Sequence, residues 1–86
     1  MPYRTVFSPD FDRALRKLKK KDRPLFARIA KKIEEILEDP EVYKPLRHEL
    51  KGLRRVHLGP FVMVFAVRGD VVEFLMVDHH DDAYRR

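Results

Sequence analysis

Leu53-Arg54-Arg55-Val56-His57-Leu58-Gly59-Pro60-Phe61-Val62-Met63-Val64-Phe65-Ala66-Val67-Arg68-Gly69-Asp70-Val71-Val72-Glu73-Phe74-Leu75-Met76-Val77 is the stretch that decides the fold. Two turn signals cut it into three β-rich runs. Leu53 to Leu58 alternates, so Val56 and Leu58 point one way and Arg55 and His57 the other. Gly59-Pro60 is a turn. Phe61 to Val67 is apolar on both faces and reads as a central strand. Gly69-Asp70 between β-rich runs signals a tight hairpin, and Val71 to Val77 is the last strand.

Working outward toward the N-terminus, Pro40 to Gly52 reads as a loop with room for a short helical turn. Before it lie two amphipathic helices. Ser8 caps the first, Pro9 fits its first turn, and Phe11, Ala14, Leu15 and Leu18 form its apolar stripe, with the end near Lys20. Asp22 caps the second, whose stripe is Leu25, Phe26, Ile29, Ile33, Ile36 and Leu37; Pro40 stops it by steering Asp39 out of the helical region. Tyr3 to Phe7 alternates and reads as an opening strand. The order β-α-α-β-β-β predicts an α+β fold, with a helical hairpin packed on one face of a small, mostly antiparallel sheet. No repeat, low-complexity segment or linker divides residues 1–86, which are expected to be a single domain.

Composition narrows the chemistry. The chain carries 19 Lys and Arg against 14 Asp and Glu, for a net charge of +5, which favours an anionic partner such as nucleic acid or an acidic protein segment. With no Cys, disulfide and thiolate chemistry is excluded, and a reducing compartment is compatible. No apolar run approaches the roughly 20 residues that span a bilayer, and no apolar leader is present, so a cytoplasmic location is expected. Asn, Gln, Cys and Trp are all absent while charged residues make up 38%, a pattern of thermophile proteins.

The residues that suit phosphate chemistry gather in the second half. Arg55 and His57 share one side of their strand; they are either part of a solvated face or a cation and an imidazole set over a phosphate. His79 and His80 follow the last strand, and Tyr84 comes after them, either as a packing residue or as part of the same site. Lys44, Arg47, Lys51 and Arg54 form a positive stretch leading into the sheet, and Arg85 adds a cation near the end; these are candidate RNA contacts. The denser run from Arg16 to Arg23 is the usual picture of a solvated helix face. Asp78-His79-His80-Asp81-Asp82 invites a metal, yet adjacent strand residues point to opposite faces and do not easily share one ion. The letters Asp-His-His resemble the motif of the much larger DHH phosphoesterases, a coincidence in a chain this short. Ser8 is the only Ser and is better used as a cap than as a nucleophile, and three isolated glycines make no phosphate loop.

Taken in order, Ala14-Leu15-Arg16-Lys17-Leu18, Pro45-Leu46-Arg47, Leu50-Lys51-Gly52, Arg54-Arg55, His57-Leu58-Gly59-Pro60-Phe61-Val62 and Asp78-His79-His80 with Tyr84 resemble the RelE/ParE toxin superfamily over almost the whole chain. The resemblance implies a toxin of a type II toxin–antitoxin pair whose partner is an acidic, amphipathic antitoxin segment. RelE-like members cleave mRNA in the ribosomal A site without a metal or cofactor; ParE-like members share the fold and act on a protein target, DNA gyrase. It further implies catalytic roles for Arg55, His57, His80 and Tyr84. His80 falls where many relatives carry an Arg, Phe61 replaces a Tyr, Val62 replaces the Arg after it, and Lys44 falls where a YoeB-like subgroup has a general-base Glu.

Overall fold

The computed structural model describes residues 3–43, 45 and 52–79. Strand β1 covers Arg4–Phe7, helix α1 Pro9–Lys21, helix α2 Arg23–Glu38, and a short 3-10 turn Pro40–Val42; β2, β3 and β4 cover Leu53–Leu58, Phe61–Arg68 and Val71–His79. Element order and type match the sequence expectation, with β4 running two residues past Val77. The sheet order is β1-β4-β3-β2. β2, β3 and β4 form the antiparallel meander, and β1 pairs in parallel with β4.

Local chemistry explains the breaks. Asp22 serves both helices: its backbone N–H donates to the Leu18 carbonyl at 2.8 Å, and its carboxylate accepts from the Leu25 N–H at 3.2 Å. The β2–β3 and β3–β4 turns place Gly59 and Gly69 at φ +61°, where a side chain would strain the backbone. Pro40 is buried at the start of the 3-10 turn, which supplies the short helical turn anticipated in that loop.

The helical hairpin covers one face of the sheet. Phe11, Leu25, Ile29, Ile33 and Ile36 from the helices meet Leu58, Met63, Phe65, Val72, Phe74 and Val77 from the strands. The α2 stripe is as expected at Leu25, Ile29, Ile33 and Ile36, while Phe26 and Leu37 stay half-buried. Aromatic rings join the layers: Phe11 lies 5.4 Å from Phe7 and 5.5 Å from Phe74, and Phe65 lies 5.8 Å from Phe74 and 5.9 Å from Tyr43. Each fully buried side chain such as Ile29, Ile36 or Phe74 contributes about 1.5–3 kcal/mol relative to exposure. Ile36→Ala is the single change expected to break this packing, at a cost of about 2–5 kcal/mol.

One departure from simple alternation reshapes β4. The β3–β4 ladder jumps from Val64↔Met76 to Phe65↔Phe74, leaving Leu75 as an extra residue, a β-bulge. Regular alternation would put Met76 on the side of Val72 and Phe74, and His79 on that of Leu75. The bulge reverses this. Val77 and His79 share the helix-covered face with Phe74, whereas Met76 and Asp78 turn to the opposite face. His79 accordingly makes an edge-on contact with Phe61 at 5.5 Å.

Candidate functional site

The face of the sheet away from the helices carries the candidate site. Two cross-strand rows define it. In one, His57 on β2 pairs with Val62 on β3, which pairs with Asp78 on β4. In the next, Arg55 pairs with Val64, which pairs with Met76. Strands lie about 4.8 Å apart, so His57 and Asp78 stand roughly 10 Å from each other across the Val62 floor. His57 is exposed and Arg55 half-buried. Val62, at 1% exposure, and Ala66, at 0%, give this face an apolar bed outside the core cluster beneath the helices. Val62 is thus a buried valine between an imidazole and a carboxylate.

A cation and an imidazole on one open surface, two residues apart, can grip a phosphate and exchange a proton with a group beside it. The fork geometry of a guanidinium matches phosphate oxygens. The expected pairing of Arg55 with His57 on one side of β2 is therefore present.

Arg54 sits differently. It shares the helix-side face of β2 with Val56 and Leu58, and its Nη1 donates to the carbonyls of Tyr43 at 2.7 Å and Glu41 at 3.3 Å. Its Nε is buried without a hydrogen-bond partner. This side chain fastens the 3-10 turn to the sheet, and that occupation competes with the phosphate contact expected of it. Alternation along Leu53 to Leu58 carried this signal, because Arg54 has the parity of Val56. Lys44, Arg47, Lys51, His80, Tyr84 and Arg85 lie outside the described residues. Among the described residues no cluster of three or more His, Asp or Glu is placed to hold a metal ion. Asp78 and His79 project to opposite faces of β4, as alternation requires.

Among the described residues, cavities flank the sheet that sequence reasoning did not single out. One, of about 310 Å³, lies between Asp10 and Ala14 of α1 and Met76, Val77 and Asp78 of β4. Another, of about 200 Å³, is lined by Arg28, Lys31, Lys32 and Glu35 of α2 with Leu58 of β2. Within it Lys32 donates to Glu35 at 2.9 Å. That hydrogen bond raises the Lys32 ammonium above its ordinary value and lowers the Glu35 carboxyl below its own.

Among the described residues no helix is long and apolar enough to cross a membrane. Residues 5–84 match the family described as ParE toxin of the type II toxin–antitoxin system, parDE. A Methanocaldococcus jannaschii protein named "Putative toxin RelE4" is 41% identical over 87 residues, spanning 98% of this chain and 93% of that one. Among solved structures, the toxin–antitoxin complex RelBE2 from Mycobacterium tuberculosis contains a chain 28% identical with TM-score 0.76, covering 92% of this chain and 99% of that one. The YoeB dimer from Staphylococcus aureus matches in fold with TM-score 0.80 at 14% identity, over 93% of this chain and 99% of that one. A helical hairpin on a four-stranded mixed sheet is the fold they share, and with the match over residues 5–84 it makes this chain a member of the ParE toxin family, within the RelE/ParE superfamily of type II toxins.

Proposed function

We propose that this protein is the toxin of a type II toxin–antitoxin pair and that it cleaves mRNA on the ribosome as a metal-independent endoribonuclease. The observation that carries the reading is the placement of Arg55 and His57 together on the face of the sheet away from the helices, beside the buried Val62. The relatives named RelE support the toxin reading.

The reaction needs three services. The ribose 2′-OH attacks the adjacent phosphate, a base takes its proton, and an acid protonates the departing 5′-oxygen. Histidine suits both proton transfers near neutral pH, and His57 and His80 divide them. Arg55 holds the charge that builds on the non-bridging oxygens of the phosphorane. Tyr84 stacks on a base or orients the phosphate. Lys44, Arg47, Lys51 and Arg85 grip neighbouring phosphates, and no step calls for a cofactor.

The antitoxin is an acidic, amphipathic segment, disordered until bound, steered by charge and held by apolar anchors. The pair acts in the cytoplasm, where translated mRNA is found. The amide-free composition marks a thermophile protein, and melting above the roughly 45–65 °C of mesophile domains checks that. Induced expression of the chain alone, followed by mapping of mRNA 5′ ends, tests the function. Growth arrest with new 5′ ends inside translated frames is expected, and co-expressed antitoxin abolishes both. Growth arrest with no new ends transfers the function to binding of a protein target, and normal growth at high soluble expression removes the toxin reading.

A further inference from the structure

The bulge at Leu75 decides where one carboxylate points. Counted by alternation from Val72 and Phe74, Asp78 belongs to the helix side of the sheet. With Leu75 as an extra residue, Val77 takes that side, in the core beneath the helices, and Asp78 turns to the face away from them. Ser8 fixes the bulge in place: its hydroxyl donates to the Leu75 carbonyl at 2.7 Å and its N–H to the Phe74 carbonyl at 2.9 Å. Bulges recur beside active sites, where the extra residue re-aims a side chain.

The row that Asp78 joins holds His57. His57 pairs with Val62 and Val62 with Asp78, so imidazole and carboxylate flank a buried valine, with roughly 10 Å between their backbones. Arg55 lies in the next row, on the strand of His57, in line with Val64 and Met76. Asp78 is half-buried and borders the 310 Å³ cavity beside α1, so its side chain meets open volume.

A carboxylate on a face that receives a phosphate chain has few uses. Ionised, it only accepts hydrogen bonds, and it repels phosphate oxygens. The group of an RNA backbone that donates to it is the ribose 2′-OH. That hydroxyl is also the attacking group in cleavage.

We propose that Asp78 is the general base of the cleavage: it takes the 2′-OH proton while His57, across Val62, protonates the leaving 5′-oxygen. The assignment rests on the function proposed above and moves the base step from the histidine pair to Asp78. The 2′-O–P bond forms as the hydroxyl proton passes to the carboxylate. The P–5′-O bond breaks as the imidazolium proton passes to the departing oxygen. The products are a 2′,3′-cyclic phosphate and a 5′-OH, and water carries the proton from Asp78 back to His57. The two transfers sit at opposite ends of an in-line displacement. A spacing of roughly 10 Å leaves room for attacking oxygen, phosphorus and leaving oxygen between two hydrogen bonds of about 2.6–3.2 Å. Arg55, one row along, stays with the non-bridging oxygens.

The test is single-turnover cleavage of ribosome-bound mRNA whose target linkage carries either the natural 5′-oxygen or a 5′-sulfur, a leaving group that departs without a proton. Asp78→Asn keeps the shape and removes the base, so it should slow both substrates by about 10²–10⁴-fold with melting near the parent value. His57→Ala should slow the oxygen substrate alone and cleave the sulfur substrate near the parent rate. Asp78→Glu keeps a carboxylate and should recover part of the rate. Cleavage by Asp78→Asn at the parent rate would overturn the assignment. Its recovery on the sulfur substrate would do the same, by placing Asp78 at the leaving group. Equal losses in Asp78→Asn and Asp78→Glu with lowered melting would assign the residue to the fold instead. A parent protein that leaves both linkages intact removes the nuclease reading, and this assignment with it; a parent that cleaves beside an unimpaired Asp78→Asn removes this assignment alone.

Discussion

The Ser8 hydroxyl donates to the carbonyl of Leu75, 67 residues away, at 2.7 Å. The same oxygen accepts from the Phe11 N–H at 3.0 Å, and the Ser8 N–H donates to the Phe74 carbonyl at 2.9 Å. One small residue thus ends β1, caps α1 and secures the bulge that re-aims Met76 and Asp78 to the open face.

Ser8→Ala is therefore expected to cost more than an ordinary cap. Losing the cap costs about 1 kcal/mol, and leaving the Leu75 carbonyl without its donor adds about 1 kcal/mol or more. A fall in Tm on the order of 10 °C is expected for a domain of this size. A change of 1–2 °C by calorimetry would show that the bulge holds without Ser8.

Arg54 gives a contrasting prediction. Because its Nη1 is taken by the Glu41 and Tyr43 carbonyls, Arg54→Ala should act on stability, by about 1–3 kcal/mol, with little effect on RNA affinity. Hydrogen exchange at the Val42 amide, which donates to the Asp39 carbonyl at 3.4 Å, should quicken in the same variant. Weakened RNA binding with unchanged melting would return Arg54 to the phosphate-gripping set.

The Lys32–Glu35 pair sets a pH dependence. The Glu35 carboxyl is lowered in the fold, chiefly by the hydrogen bond from Lys32, so its contribution is present above its unfolded value of 4.5 and lost as pH falls through the lower folded value. Lys32 is raised by the same bond, so its contribution is present below 10.5 and fades as pH rises through the higher folded value. Melting curves of parent and Glu35→Gln should differ most at neutral pH and converge toward low pH. A constant difference across the acid range would assign the effect to something other than this pair.

Much of this was legible in the chain because period and punctuation agree. Ser8-Pro9, Asp22, Pro40, Gly59-Pro60 and Gly69-Asp70 break the sequence where the elements end, and the stripe Leu25, Ile29, Ile33 and Ile36 settles which face of α2 is buried. The split of Arg55 and His57 from Val56 and Leu58 followed from alternation alone. Leu75 did not show itself, because an extra residue in an apolar strand leaves no mark until the partner strand fixes the count. The parallel pairing of β1 with β4 is equally silent, since both its rows and those of an antiparallel neighbour read as alternating residues. The hairpin cations were visible as a run, but their separation from the open face of the sheet needed the layers themselves.

In the proposed function His57, beside Arg55 on β2, moves a proton in RNA cleavage. The most direct measurement is the rate of cleavage of ribosome-bound mRNA by purified parent and His57→Ala protein, with antitoxin binding measured in parallel. Loss of the proton transfer should slow cleavage by about 10²–10⁴-fold while antitoxin affinity and melting stay near parent values, and EDTA should change neither rate. Cleavage by His57→Ala at the parent rate would remove His57 from the proton transfer.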